Sequence, residues 1–522
     1  MRNSSFLSTL VLFSFGFAQA VVAQSTNTDT DRSDHSLAEV RQSSFESATT
    51  YYADGSADCG CNTSCDSGCA APTCDACGQG GCSCNGAAGC CTCKQKQAAM
   101  KKAAGAYKGV FYANDFSYLC DPCYDGCLLG DSLKRRAVGD CGVLDVGGQL
   151  RLRYHHEEGM NKGAPRFTQT TDDFLLTRLR LFANYEVNEN VRVFAEGIFA
   201  DSTGHDLPPR PIDQNHGDLL NLFADLKALD ELTFRIGRQE LLYGSQRNVS
   251  PLDWANTRRT FEGIKAMWNC NDWQVDAFWT AFVPVTPFAF DQADWHQQFY
   301  GAYAVYSGCE NVTYDLYYLG YDNQDSPFSL HTFGARMNGS HCDWLYELEG
   351  AYQGGDAAGV GADQDAGFAT VGLGRKLGQL PWSPTLWAYF DYASGDAPGG
   401  DFNGYNHLFP LAHKYLGFID AVQRSNLESV NFLLTAKPTE KLNLLLWYYI
   451  FQSNQDGAVP AIGGTPAQGT SRDLGQELDL IAKYTINPRS DFLLGYSHFW
   501  AGDKILTNED ADFIYAQWTL NF

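Results

Sequence analysis

Beyond its first two dozen residues the chain contains no run of about 18 apolar residues, the length a helix needs to cross a bilayer, so helical spans are excluded. Positive charge is also scarce: 37 Lys+Arg stand against 61 Asp+Glu, a net charge of −24. Such an average field repels polyanions, which excludes nucleic acid as a partner. Methionine is rare, with 5 in 522 residues, whereas Gly reaches 51, Phe 33, Tyr 27 and Trp 11. A Gly-rich, aromatic and helix-poor chain with mean hydropathy −0.29 points to a β architecture.

Arg2, the apolar stretch Phe6–Phe17 and the small residues flanking Gln19 have the form of a cleaved export signal over residues 1–23. The mature chain is then expected in an oxidising compartment. Residues 24–58 read as a disordered linker, and 59–141 as a Cys-rich periplasmic segment. Of 18 Cys, 15 lie between Cys59 and Cys141, and 11 of those in Cys59–Cys93, among Gly, Ser, Asp and Asn. So few apolar side chains cannot build a core, and disulfides are the expected source of order. Cys74-x-x-Cys77 and Cys120-x-x-Cys123 have zinc-ligand spacing, but the segment lacks His, so no metal and no cofactor is expected. The other three cysteines are Cys270, Cys309 and Cys342. Both sets are odd in number, so complete pairing within the chain requires at least one bridge between them.

From about residue 142 to the end, alternation dominates, in segments of roughly 10 to 14 residues closed by turn chemistry. Leu144, Val146, Leu150, Leu152 and Tyr154 share one face of the first segment; Asp145, Gln149, Arg151, Arg153 and His155 share the other. About 18 such segments begin near residues 144, 172, 190, 216, 232, 259, 272, 297, 310, 328, 341, 365, 383, 425, 440, 473, 490 and 510. Tight connections such as 187–190, 229–232, 269–272 and 308–311 alternate with long ones such as 157–171, 244–258, 397–424 and 454–472. Short turns on one rim and long loops on the other are the pattern of an all-β transmembrane antiparallel barrel of about 18 strands over 142–522.

The final segment alternates Ile514, Ala516, Trp518, Leu520 and Phe522 with polar neighbours and ends on an aromatic residue. That ending resembles the signal by which outer-membrane assembly recognises barrels. In this layout both chain ends and the short turns face the periplasm. Cys270, Cys309 and Cys342 then lie in or beside periplasmic turns, where the Cys-rich segment is expected to be stapled across the mouth.

The stretch Gly237-Arg238-Gln239-Glu240-Leu241-Leu242-Tyr243-Gly244, then Gln246-Arg247 and Pro251-Leu252-Asp253-Trp254-Ala255-Asn256-Thr257-Arg258-Arg259-Thr260-Phe261-Glu262-Gly263, closely resembles the hallmark of the bacterial alginate-export porin family. A second match is Asp391–Asp396 with Leu408-Phe409-Pro410, His413-Lys414-Tyr415 and Gly417. Residues 177–180 and Val193–Ser202 are similar too. The resemblance implies a monomeric 18-stranded barrel, lined with arginine, through which an anionic polysaccharide leaves the cell. The Cys-rich segment has no counterpart there; Tyr107-Lys108-Gly109 and Asp115-Phe116-Ser117-Tyr118 resemble the leader of paralogous porins in planctomycete-like bacteria.

The charge pattern bears on passage. From residue 142 there are 17 Arg, and 12 lie between Arg151 and Arg259. Parity directs Arg151, Arg153, Arg178 and Arg180 to the water-filled side, because a guanidinium facing lipid at the bilayer midplane costs about 2–4 kcal/mol. Together with Arg235, Arg238, Arg247, Arg258, Arg259, Asp225 and Lys227 they are the candidate lining of a path for a sugar carboxylate. Arg235 and Arg238 have opposite parity, so without a bulge only one faces the lumen. Loop 244–258 is a candidate constriction, pinned by Asp253, Trp254 and Asn256. The competing use of these arginines is to pair with wall acids such as Glu196 and Asp225.

The scattered His residues show no nucleophile elbow or metal spacing, so no enzyme is expected. A general or nutrient-uptake porin, or an envelope anchor cross-linked through its Cys-rich segment, are the other readings. Expected partners are an anionic polysaccharide, outer-membrane lipids and an envelope protein docked on the Cys-rich segment.

Overall fold

A computed structural model describes residues 93–139, 142–161, 166–357, 361–396, 401–457, 468–507 and 509–522. The export signal, the linker and the cysteines from Cys59 to Cys91 lie outside the described residues. A short strand, β1 (Arg136–Val138), precedes β2 (Gly142–Glu158), β3 (Thr171–Glu186), β4 (Val191–Thr203), β5 (Asn215–Leu229), β6 (Leu232–Gln239), β7 (Thr260–Cys270), β8 (Trp273–Val283) and β9 (Asp294–Cys309). The chain continues through β10 (Val312–Asn323), β11 (Phe328–His341), β12 (Trp344–Asp356), β13 (Asp363–Lys376), β14 (Thr385–Ala393), β15 (Leu427–Thr439), β16 (Leu442–Gln452), β17 (Asp473–Asn487), β18 (Ser490–Ala501) and β19 (Ala511–Asn521). Each strand from β2 onward pairs antiparallel with the next, and β19 returns to β2, with Gln517 opposite Arg153 and Trp518 opposite Leu152. The result is a closed barrel of 18 strands, with β1 added beside β2.

Closure satisfies every strand edge, which is what lets a sheet span lipid. The two-residue side-chain period then gives the wall two faces. Leu181, Leu222, Ile236, Leu316, Phe333, Leu373 and Leu494 lie 46–56% exposed on the outside. Aromatic residues mark the rims: Trp268, Trp273 and Trp344 at the short-turn end and Trp279, Trp295 and Trp500 at the other. The rims differ in connection length, with two exceptions: 377–384 is long for its rim and 324–327 is short. Asn271 and Asn311 make the left-handed corners of two tight turns, with φ of 52° and 61°.

The interior is filled. Residues 240–259 and 401–426, of two long loops, fold inward and pair with each other, Phe409 N–H donating to Asn248 O at 2.9 Å and Ser250 N–H to Phe409 O at 2.8 Å. Their Leu241, Val249, Phe409, Leu416, Phe418 and Ile419 form an apolar core against lumen-facing Phe261, Phe299, Tyr449 and Phe513. α2 (Ala412–Tyr415) is one turn of the second loop. From the opposite mouth, residues 93–135 enter the lumen. α1 (Cys93–Ala104) leads into 3₁₀ turns at Phe111–Ala113 and Ser117–Cys120. Phe111, Phe116, Tyr118 and Tyr124 pack there against lumen-facing Phe182, Phe194 and Phe223 of β3, β4 and β5. Over these residues the segment read from the sequence as Cys-rich and periplasmic packs into the short-turn mouth of the barrel. Aromatic side chains without periodicity gain their burial from the barrel's inner wall.

Candidate functional site

β2 and β3 are in register such that Arg151 faces Arg178 and Gln149 faces Arg180. Arg151, Arg153, Arg178 and Arg180 point into the lumen and are buried. Three of them grip the inward loop. Arg151 donates to Asp253 O at 2.8 Å and Ala255 O at 3.0 Å, and Arg153 donates to Trp254 O at 2.5 Å. Arg178 donates to Asp253 O and Ala255 O, each at 3.2 Å, and to Asp253 Oδ1 at 3.1 Å. The Arg153 guanidinium also lies 3.8 Å over the Trp254 ring, whose centroid is 3.7 Å from that of His413 on the second loop. Asn256 Nδ2 donates to Thr177 O, Asp201 O and Asp213 O, which ties the loop to β3 and β4.

Asp253 is therefore a carboxylate among guanidinium groups. Burial opposes its ionisation, but Arg258, Arg178 and Arg151 hold its carboxyl well below the usual range. Arg258 also donates to Glu240 Oε1 at 2.5 Å, and Arg180 donates to Glu196 Oε1 at 2.6 Å. Asn221 Nδ2 bridges Glu196 and Glu240 at 2.9 and 3.0 Å. These acids sit where a purely basic lining would place water or ligand.

Arg247 reaches the far wall, donating to Glu347 and Glu349 of β12 at 2.8 Å each, with its guanidinium 4.3 Å over Tyr415. Arg259 donates to Ser250 O and Pro410 O, stitching the two loops together. Arg235 forms a two-point pair with Asp225 at 2.7 and 2.9 Å in the lumen. Lys227 lies near the short-turn rim, 2.8 Å from Asp230.

Arg238 is placed elsewhere. Its register partners are Leu222, which is 46% exposed to the outside, and Glu262, which it contacts at 3.2 Å. No bulge intervenes between Arg235 and Arg238, so parity puts Arg238 on the outer face, where it also donates to Asp291 O. Among the described residues, Cys270, Cys309 and Cys342 carry free thiols at three successive short turns.

The sequence reading did not single out Glu347, Glu349, Arg424 or the inserted Phe111 and Tyr112. Arg424 pairs with Asp391 at 2.7 Å, joining the second motif to its own loop. A detectable signal existed for the two glutamates: they alternate on one strand with Leu345 on the lumen side and Leu348 outside. Between the arginines, Trp254, His413 and Tyr515 a cavity of about 20 Å³ remains, room for one water.

A family model described as alginate export matches residues 143–517. Among solved structures, the fold is similar to Pseudomonas aeruginosa OccK8 (OprE), at 14% identity and TM-score 0.52, covering 73% of this chain and 98% of that one. Pseudomonas aeruginosa OpdK with vanillate matches at 13% identity and TM-score 0.52, over 72% and 98% of the two chains. Pseudomonas aeruginosa OccK3 (OpdO) matches at 14% identity and TM-score 0.51, over 72% and 96%. At these identities the likeness concerns the fold. No curated protein matches the chain.

Proposed function

The chain belongs to the alginate-export family of outer-membrane channels and is not an enzyme, and on that premise we propose that it passes an anionic, uronate-type polysaccharide along the lumen arginines. The observation that carries the proposal is what Arg151, Arg153 and Arg178 hold now. The loop offers them a carboxylate, Asp253, beside successive main-chain carbonyls of residues 253–255. A uronate polymer offers the same set, a carboxylate flanked by neutral oxygen acceptors. Exchange of one for the other keeps each guanidinium hydrogen-bonded, which is the condition for moving buried charge at low cost.

The conformation is then a closed one, and passage requires the loop 240–259 to lift from β2 and β3. Arg180 and Arg235, with acids of their own, hold the wall, whereas Arg151, Arg153 and Arg178 meet the cargo. The short-turn rim faces the periplasm in this reading, with Cys270, Cys309 and Cys342 as attachment points for the Cys-rich segment.

Planar-bilayer recording with oligouronate added on either side tests this. Anion selectivity and block by the oligomer are expected, and both should weaken in Arg178→Gln. Cation selectivity, or block unaltered by Arg178→Gln, would overturn the polyanion path.

A further inference from the structure

We infer that the inserted segment is a latch on the lumen loop: residues 105–119 hold loop 240–259 down from the short-turn side, so that withdrawing the segment loosens the loop.

The latch touches both feet of the loop. Tyr112 Oη donates to Glu240 O at 2.9 Å, at the loop's start, and Arg258 Nη2 donates to Gly109 O at 2.9 Å, at its end. The feet are themselves joined by Arg258 and Glu240. One short stretch, Gly109 to Tyr112, thus bridges the same pair of residues that closes the loop's base.

The segment is held differently at its two ends. Its base is anchored by charge: Arg489 lies 3.2 Å from Asp131, and Arg135 lies 2.9 Å from Glu186. Gly130, at φ 84°, crosses the carboxy terminus so closely that a Cβ there would sit 2.2 Å from the Phe522 carbonyl carbon. The tip is held by neutral contacts. Arg180 lies 3.7 Å over Phe111, Arg235 lies 4.3 Å over Tyr112, and Arg192 donates to Tyr112 O at 2.5 Å.

Arg180, Arg235 and Arg258 each keep a wall or loop carboxylate: Glu196, Asp225 and Glu240. Withdrawing the tip therefore breaks aromatic and carbonyl contacts and leaves no buried guanidinium without its carboxylate. A segment fixed at its base and neutral at its tip can leave and return as a unit. Because its tip bonds to the loop's feet, its two positions bias the loop, and the bias is reciprocal.

Hydrogen exchange read by mass spectrometry on the full chain in micelles tests the coupling without reference to any cargo. Phe111→Ala combined with Tyr112→Phe is expected to speed exchange severalfold in 105–119 and also in 241–257, where nothing was changed. Strands β10–β16 should keep wild-type protection, which reports an intact barrel. Faster exchange in 105–119 with 241–257 unchanged would overturn the latch, as would no change in either. Reciprocity gives a second measurement. Arg178→Gln, which frees the loop from β3, should raise exchange in 105–119, and an unchanged tip would overturn the coupling while leaving the polysaccharide path standing.

Discussion

The carboxylate of Asp253 meets the guanidinium of Arg178 at 3.1 Å, so that the middle of a lumen loop is bonded to the wall strand β3. Asp253→Ala removes the one acid shared by Arg178 and Arg258; Arg258 keeps Glu240, whereas the buried Arg178 loses its carboxylate. Loss of one member of a buried pair costs about 3–5 kcal/mol. The expected outcome is a lower unfolding temperature in micelles together with more frequent open events in bilayers. A variant with wild-type stability and gating would remove Asp253 from the closure.

Arg178 and Arg238 differ in face, and the difference is measurable. Arg238→Gln, on the outer wall beneath Asp291, is expected to leave ion selectivity at the wild-type value, whereas Arg178→Gln shifts it toward cations. Equal shifts from both would contradict the faces assigned by the β5–β6–β7 register.

His407, on the second inward loop, gives an acid dependence. Burial, then the charges of Arg424 and Arg259, push its imidazole from 6.5 down to about 3. A depressed folded value means the unfolded chain binds the proton more readily, so stability is complete above about pH 6.5 and is lost as pH falls toward about 3. Unfolding temperature measured between pH 7 and pH 4 should fall, and the fall should be shallower in His407→Gln. Identical slopes would show that His407 does not set the acid limb.

The rim thiols make a chemical prediction. Successive hairpins along a sheet repeat about every 10 Å, whereas disulfides need Cα atoms within about 7 Å. Cys270, Cys309 and Cys342 therefore cannot bridge one another, and the proposed staple to the Cys-rich segment requires cross-linked peptides joining them to residues 59–141. Non-reducing peptide mapping should find such a peptide. Alkylation of all three without prior reduction would remove the staple.

Strand positions were legible because they rest on local alternation. The expected starts at 232, 328, 473 and 490 coincide with observed ones, and the largest offsets, as at Trp344, are three residues. Arg151 and Arg178 were assigned to the lumen by the same two-residue period. What alternation cannot report is the content of the lumen. Phe111 and Tyr112 sit in a segment with no period, and their place is set by Phe182, Phe194 and Phe223, 70 or more residues away in the chain. The pairing of Arg247 with Glu347 and Glu349 likewise spans 100 residues and depends on how far a loop reaches across the barrel. Asp253, Trp254 and Asn256 were visible as candidate pins, but their partners, the carbonyls and the His413 ring, have no sequence signature.

Tyr107 donates its hydroxyl to the main-chain oxygen of Phe522 at 2.5 Å, joining a residue near the start of the described chain to its last one. Arg489, between β17 and β18, holds Ala103 and Tyr118 in the same way. The seat of residues 103–118 is therefore built in part from the last strands of the barrel, and its bonds to Arg489 and Phe522 require those strands to be in place.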